Sequence, residues 1–197
     1  MGLARLARSK RSAIPGAISR SWVWQPKTDT VTYQGKDKEG REIKVTYRRS
    51  DIDSQSDAVK KDIDPSFLND QYWLLLPLHV SWDGANVTAQ GMDETPLGKA
   101  RAERIVVKYA SGGYSPGDTW ELFVGPDKRI IEMRYHRGVA LPGLPTVVLA
   151  KWEGYRKAGP LLISTDPSGI ADGHPFLITI TDVAVKVTGS KDWILAH

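Results

Sequence analysis

The 197-residue chain contains no cysteine. Its absence excludes disulfides, thiolate catalysis, thiolate metal sites and lipid attachment through cysteine. No stretch of the sequence approaches the roughly eighteen apolar residues of a membrane-spanning helix, and residues 1–20 lack the apolar run of a secretory signal. A domain of this size hides about 70% of its unfolded surface. We therefore expect a fold that depends on its own apolar core.

The motifs of common catalytic and metal sites are also missing. The chain has neither a Gly-x-Ser-x-Gly elbow nor a His-Glu-x-x-His helix. We predict no catalytic residue, no metal site and no cofactor. One metal arrangement stays open, because His79 and Asp83 on one predicted strand could meet Glu132, Arg134 and His136 on another. Alternating polar residues on a solvated strand face explain the same pattern.

Acidic residues are absent from residues 1–20, which carry five basic side chains. The net charge of the whole chain is +4, so the remainder carries about −1. Later basic residues are interleaved with acids, whereas a nucleic-acid partner requires a sustained basic face, so we predict no such partner. Residues 1–20 are predicted to be a disordered basic segment, with a transit-like or membrane-surface segment as the alternative. Residues 21–197 are predicted to form a single domain.

Strand patterns dominate the rest of the chain. Alternating apolar and polar residues, rich in β-branched and aromatic types, predict about eight or nine strands separated by Gly and Pro turns. Two of these turns are a glycine-rich turn at residues 112–118 and a tight turn at residues 125–128. The predicted strands cover residues 21–25, 29–33, 41–48, 104–109, 118–124, 129–137, 146–155 and 174–188, with 161–165 as a short extra. The last of them changes phase, which predicts a β-bulge near residues 181–182. Residues 84–101 read as a long hairpin or loop.

Two helices are predicted before the run of later strands. A short one covers residues 54–61, and a stronger signal begins with Asp64 as N-cap and Pro65 in the first turn. Pro77 should end or kink this second helix, and residues 78–83 then alternate as a strand. Strands, then helices, then antiparallel strands indicate an α+β fold. So many antiparallel strands should curl into a half-open barrel, with the helices on its concave face.

Two blocks carry a family resemblance, Phe67-Leu68-Asn69-Asp70-x-Tyr72-Trp73-Leu74-Leu75-x-Pro77 and Gly113-x-x-Pro116-Gly117-Asp118-x-Trp120. With the later Trp152-x-x-Tyr155, Gly159-Pro160-Leu161 and Asp182-Val183, they resemble an uncharacterised family of exported bacterial proteins. That family is in turn similar to the outer-membrane lipoprotein carrier superfamily, a half-open antiparallel sheet with helices plugging its concave side. The resemblance spans residues 22–187. It implies a cell-envelope or periplasmic location, with a cytoplasmic one as the alternative, since no export signal precedes Trp22.

Aromatic residues supply the candidate binding site. We predict an apolar cavity in the curved sheet, with Arg134, His136 or Lys108 near its mouth to meet an anionic headgroup. The nine residues predicted to line it are Tyr72, Trp73, Leu76, Trp82, Tyr109, Trp120, Tyr135, Trp152 and Phe176. The predicted function is non-catalytic binding or carriage of an apolar ligand, such as a lipid or a lipidated partner. The alternative is a protein-interaction module with a filled core, and an enzyme of unknown class is a third reading.

Overall fold

The structure is a computed structural model that describes residues 6–10, 19–37, 39–110 and 117–197. For residues 6–10 it describes only the backbone and its strand pairing. The described contacts fall into two compact units. Unit 1 comprises the described parts of Met1–Asp70, Tyr155–Thr165 and Ile178–His197, and unit 2 comprises those of Gln71–Gly154 and Asp166–Leu177. The single domain predicted over residues 21–197 stays a prediction.

Strands make up most of the regular structure. In chain order they are β1 (Leu6–Lys10), β2 (Ser19–Gln25), β3 (Thr30–Lys36), β4 (Glu42–Arg48), β5 (Asn86–Glu94), β6 (Arg101–Lys108), β7 (Thr119–Val124), β8 (Ile130–His136), β9 (Val147–Lys151), β10 (Tyr155–Ala158), β11 (Leu161–Ser164), β12 (Ser168–Ala171), β13 (His174–Leu177), β14 (Thr179–Ile180), β15 (Ala184–Val185) and β16 (Ile194–Leu195). The helical elements are a 3-10 helix at Arg49–Ser54, a π-helix at Val59–Ile63 and the α-helix α1 at Asp64–Trp82.

Unit 1 contains an antiparallel sheet in the order β14-β1-β2-β3-β4, with the separate pairs β10-β11 and β15-β16. Alternation along β2 places Trp22 and Trp24 on one face, where they pair across the ladder with Tyr33 and Val31 of β3. Both tryptophans meet the ring of Phe67 edge-on, with centroid distances of 5.4 and 5.8 Å. These aromatic contacts form the core of unit 1.

Two carboxylates hold the first part of α1 to this sheet. Asp70 accepts two hydrogen bonds of 2.7 Å from the guanidinium of Arg20 and one of 2.8 Å from the indole of Trp22. Asp64 accepts the hydroxyl of Tyr47 at 2.9 Å and Nε of Arg49 at 2.8 Å. Asp64 is not the predicted N-cap: the chain is already helical over Val59–Ile63, so its carboxylate is available for these tertiary bonds.

Unit 2 is built on an antiparallel sheet in the order β13-β12-β9-β8-β7-β6-β5. The tight turn predicted at residues 125–128 does join β7 to β8, and the amide of Gly125 bonds the carbonyl of Arg129 at 2.8 Å. Of the two alternatives predicted for residues 84–101, the hairpin is the one formed: they contain the nine-residue edge strand β5, which pairs antiparallel with β6. Every residue of β5 is exposed, which explains its weak apolar signal in the sequence.

Helix α1 passes through Pro77 instead of ending there. Proline cannot donate to the carbonyl four residues earlier and its ring crowds that turn, so a helix that continues must bend. The bend is at Leu75, whose φ of −126° and ψ of 20° are not helical. The predicted strand over residues 78–83 is therefore wrong, because the helix runs on to Trp82. Residues 64–70 of α1 belong to unit 1 and residues 71–82 to unit 2.

Several predicted boundaries also change. The strand predicted over 146–155 is two strands, β9 and β10, and that over 174–188 is three, β13, β14 and β15. Instead of a β-bulge, the chain leaves the strand at residues 181–183, where Asp182 has a φ of 54°. Of the segment predicted to be disordered, Leu6–Lys10 and residues 19–20 are strand residues. Residues 1–5 and 11–18 lie outside the described residues, as do residues 111–116 of the glycine-rich turn.

The α+β class is confirmed. The described part of the chain is mainly antiparallel sheet with one α-helix, and its largest sheet has seven strands and is open, not closed into a barrel. Among the described residues, no helix is both long enough and apolar enough to cross a membrane.

Candidate ligand-binding site

One face of the seven-stranded sheet in unit 2 is aromatic. Trp120 of β7 lies opposite Tyr135 of β8, which lies opposite Val148 of β9, so the three side chains share a face. The rings of Trp120 and Tyr135 are 4.6 Å apart, and all three residues are buried. Cross-strand pairs of this kind are what stabilises a sheet face.

Residues 71–82 of α1 pack against this aromatic face. Tyr72 stacks on Trp120 at 5.7 Å and meets Tyr109 edge-on at 6.3 Å. Trp73 is 6.4 Å from Trp152 and 5.5 Å from Phe176. Because successive helical residues point about 100° apart, Tyr72 and Trp73 reach different strands of the same sheet.

All nine predicted site residues belong to unit 2, but their exposure differs. Tyr72, Leu76, Tyr109, Trp120, Tyr135 and Trp152 are buried. Trp73 and Phe176 are half-buried. Trp82 is 45% exposed because it lies at the end of α1, not on a strand. Trp73 and Phe176 are thus the accessible rings that contact each other, and Trp73 also contacts the buried Trp152; we call these three residues the aromatic site.

A polar cluster lies beside Tyr72. The Tyr72 hydroxyl donates to Asp83 Oδ2 at 2.6 Å, and Nδ1 of His79 lies 2.9 Å from the same oxygen. The rings of Tyr72 and His79 stack at 4.4 Å. His79 and Asp83 were predicted on one face of a strand, whereas they lie four residues apart on α1 and its C-terminal turn. Among the described residues, no three His, Asp or Glu side chains converge as metal ligands do.

The tyrosines of this region keep their protons. Burial raises the pKa of Tyr72 far above its ordinary value, and the hydrogen bond to Asp83 raises it further. Burial also raises the pKa of Tyr109. The hydrogen bond with the Tyr72 hydroxyl lowers this pKa in part, and the negative charge of Asp83 raises it. A phenol in this state is neither a ready acid nor a ready nucleophile near neutral pH. Tyr72 therefore acts as a hydrogen-bond donor to Asp83 at neutral pH.

Because these tyrosines are protonated in the folded protein, we expect the folded state to lose stability at alkaline pH. A raised folded-state pKa means that the stabilisation is complete below about pH 10, the ordinary pKa of tyrosine, and is lost as the pH rises above it. We expect the urea midpoint of the wild type to fall above pH 10. In Tyr72→Phe the fall should be shallower, because one of the responsible groups is gone. Urea unfolding between neutral pH and pH 11 tests this, and equal slopes in both proteins would contradict it.

The opposite face of the sheet is polar, and the predicted headgroup contacts lie there. Glu121 accepts hydrogen bonds from Arg104 at 3.2 Å and Arg134 at 3.1 Å, and His136 lies 3.7 Å from it. Arg134 and His136 alternate with Tyr135 along β8, so they point away from the aromatic face. The same holds for Lys108, which neighbours the buried Val107. Placing these cations at the mouth of an aromatic cavity was therefore wrong.

Buried polar atoms without a partner were not foreseen from the sequence. Among the described residues, neither amide atom of Gln71 has a hydrogen-bond partner, nor has Nε1 of Trp120 or Trp152. Leaving such a buried group unpaired costs about 1–3 kcal/mol. Gln71 had a signal in the sequence, because it lies four residues from both Phe67 and Leu75 and thus on the apolar side of the helix.

Comparisons with known proteins give little more. No family model matches the chain, and no curated protein matches it. One solved structure similar to it is a DUF1329 family protein from Desulfovibrio piger, at 12% identity and a TM-score of 0.42, with 92% of this chain and 77% of that chain covered. This finding does not specifically support a resemblance to the lipoprotein carrier superfamily. At that TM-score it carries no argument about fold or function, so the site must be interpreted from its own residues.

Proposed function

We propose that this protein binds, without catalysis, an apolar acyl chain that ends in a hydrogen-bond acceptor, and that the aromatic site is where it binds. The observation that carries the proposal is the composition of that site. Two half-buried rings, Trp73 and Phe176, lie 5.5 Å apart beside the buried Trp152. Nε1 of Trp152 has no acceptor among the described residues.

The rings supply an apolar surface that is still partly in contact with water. Covering apolar surface is favourable by about 25 cal/mol per Å², or about 0.8 kcal/mol for each buried methylene group. An acyl chain laid over Trp73 and Phe176 would remove both surfaces from water together. Aromatic rings suit this purpose because they present a large rigid face with few rotatable bonds.

The indole of Trp152 supplies the polar contact. Ligand sites are mostly apolar, with a few polar groups that fix orientation. An indole N–H donates and does not accept, so it selects a ligand with a carboxylate or carbonyl oxygen. A hydrogen bond to a charged acceptor contributes about 1.5–3 kcal/mol. The site thus favours a fatty-acyl carboxylate over a plain hydrocarbon.

A fatty-acid titration tests the proposal. We expect palmitate to quench the tryptophan fluorescence, and myristate, with two fewer methylene groups, to bind about fifteenfold more weakly. Trp73→Ala should weaken palmitate binding by about tenfold or more, because half of the apolar surface is lost. Trp152→Phe should weaken palmitate binding while keeping the same dependence on chain length.

The matched control is Trp193→Ala, which removes a tryptophan that is 37% exposed in unit 1. It should bind palmitate as the wild type does. Equal affinities for palmitate in Trp73→Ala and Trp193→Ala would contradict the proposal, as would an affinity that is independent of chain length. Thermal unfolding of each variant separates lost binding from lost folding.

A second candidate function rests on β5. This strand is the edge of the seven-stranded sheet, all nine of its residues are exposed, and Val87 and Met92 are 52% and 57% exposed. An exposed edge offers unpaired backbone groups to an extended segment of a partner protein. This candidate matches the interaction module considered from the sequence. This second candidate function becomes the favoured one if palmitate does not bind.

A further inference from the structure

The aromatic face of unit 2 becomes accessible toward one edge of its sheet. A row of paired residues on this face crosses from β7 to β13 and consists of Trp120, Tyr135, Val148, Ala171 and His174. The first three are buried, whereas Ala171 is half-buried and His174 is exposed. Accessible surface on this face therefore lies on β12 and β13.

The neighbouring row has the same gradient of exposure and reaches the aromatic site. Its residues on β8, β9, β12 and β13 are Met133, Ala150, Gly169 and Phe176. Met133 and Ala150 are buried, and Gly169 and Phe176 are half-buried. The accessible residues of the two rows are Gly169, Ala171, Phe176 and His174, which we call the accessible strip. The strip is continuous with the aromatic site, because Phe176 belongs to both.

Strand β12 contributes almost no side chain to the accessible strip. Gly169 lies beside Phe176 in the ladder, and Ala171 lies beside His174. A Cβ on Gly169 would collide with the carbonyl oxygen of Leu149, so position 169 admits no other residue unless β9 moves. An extended apolar chain can therefore lie along β12 against a hydrogen atom and one methyl group.

The two ends of the accessible strip differ in their polar groups. At the aromatic site, Nε1 of the buried Trp152 has no hydrogen-bond partner among the described residues. The other end is the turn Asp172-Gly173, where the Asp172 carboxylate already accepts two backbone amides at 2.8 Å. Arg137 and His174 lie near this carboxylate, so negative and positive groups already accompany each other at the turn. A carboxylate end on the ligand finds an unpaired buried donor at the Trp152 end.

We propose that the acyl chain of the ligand runs from Trp152 along β12 and passes over Ala171, so that residue 171 determines how long a chain the site can bury. This inference rests on the proposed function. Ala171 pairs with Val148, which comes four residues before Trp152. Ala171 therefore lies about 13 Å from Trp152 along the strands, at about 3.3 Å per residue. Each methylene group that the strip buries adds about fourfold to the affinity.

A series of fatty acids tests this path. We expect the wild type to bind palmitate about two-hundredfold more tightly than laurate, which has four fewer methylene groups. In Ala171→Leu the added side chain occupies the place of the far methylene groups, so this ratio should fall by about tenfold or more. The matched control is Ser168→Leu, which enlarges another small, half-buried residue of β12 on the opposite face. Its palmitate-to-laurate ratio should equal that of the wild type.

A second measurement does not rely on weaker binding, and it decides the matter if Ala171→Leu folds poorly. The chain has no cysteine, so Ala171→Cys and Ser168→Cys each create a unique labelling site for an environment-sensitive fluorophore. Palmitate should shift the emission of the label at position 171 to the blue and leave that of the label at position 168 unchanged.

The outcomes separate this inference from the proposed function. If the wild type binds no palmitate, both fail. If the wild type binds palmitate and Trp73→Ala weakens that binding, equal palmitate-to-laurate ratios in Ala171→Leu and Ser168→Leu, or identical responses of the two labels, overturn only the path along β12. Weaker palmitate binding in His174→Gln would also overturn that path, because the carboxylate would then lie at the turn.

Discussion

Phe67→Ala is expected to destabilise the protein by about 3–5 kcal/mol, the usual range for deleting a buried phenylalanine side chain. Phe67 is 1% exposed. It is in edge-to-face contact with Trp22 and Trp24, and the guanidinium of Arg49 lies 5.6 Å from its ring centre. Removing the ring leaves a cavity that rigid indoles cannot fill by rotating, so little of the loss is recovered.

Urea unfolding measures this effect, and a second phenylalanine provides the control. Phe176 is half-buried, so Phe176→Ala should cost about 1 kcal/mol or less, because less surface returns to water. The same substitution at position 176 should nevertheless weaken palmitate binding, whereas Phe67→Ala leaves the aromatic site in unit 2 unchanged. Equal loss of stability in the two variants would contradict the assignment of Phe67 to the core of unit 1.

Asp118→Ala has the second largest expected effect, about 3 kcal/mol. Its carboxylate accepts the hydroxyl of Tyr135 and the amide of Gly138, and its removal leaves both donors without that acceptor. A hydrogen bond to a charged group is among the stronger ones, and burial raises the cost of losing it. The same change should release the loop of residues 137–146, because Gly138 anchors one of its ends.

Asp118→Asn and Tyr135→Phe sharpen the test. Asparagine keeps one acceptor oxygen, so its cost should be clearly smaller than that of alanine. If the two residues interact as described, the double variant Asp118→Ala with Tyr135→Phe should be less destabilised than the sum of the single variants. Strict additivity in urea unfolding would refute the bond. Hydrogen exchange at Gly138 should become faster in Asp118→Ala.

Much of the fold could be predicted because its signals are local. The α+β class followed from the order of strand and helix patterns, and the turn at residues 125–128 from its own Gly and Pro chemistry. The sequence did not decide whether α1 kinks or ends at Pro77, because the tertiary packing of the residues around it, such as Tyr72 on Trp120, is not a local signal. Residues 78–83 alternate like a strand, yet after the bend at Leu75 residues 78–82 continue as a helix.

Pairing partners explain the remaining differences. Residues 174–188 form one continuous alternating pattern, but β13 pairs with β12 in unit 2 whereas β14 pairs with β1 in unit 1. A period of two predicts which side chains share a face. It does not predict which sheet each half of residues 174–188 joins. For a related reason the sequence did not decide between a hairpin and a loop at residues 84–101, since an exposed strand such as β5 need not alternate in hydrophobicity.

The candidate site could also be predicted only in part. Eight aromatic residues and Leu76 were predicted to line one cavity, and several of them are in ring contact across the sheet face and α1. Which of them stay accessible depends on tertiary packing, and only Trp73, Phe176 and Trp82 do. A charge introduced at Leu76 would disturb the fold as well as any binding, because that residue is fully buried. Trp73→Ala is the suitable change.

Native mass spectrometry of the purified protein, with solvent extraction of bound material, tests the central claim most directly. The account predicts a mass increase that disappears on extraction and corresponds to a molecule with an acyl chain and a carboxylate or carbonyl end. Trp73→Ala should lose this increase and Trp193→Ala should keep it. An unliganded mass that persists after incubation with fatty acids and mixed lipids would contradict the account.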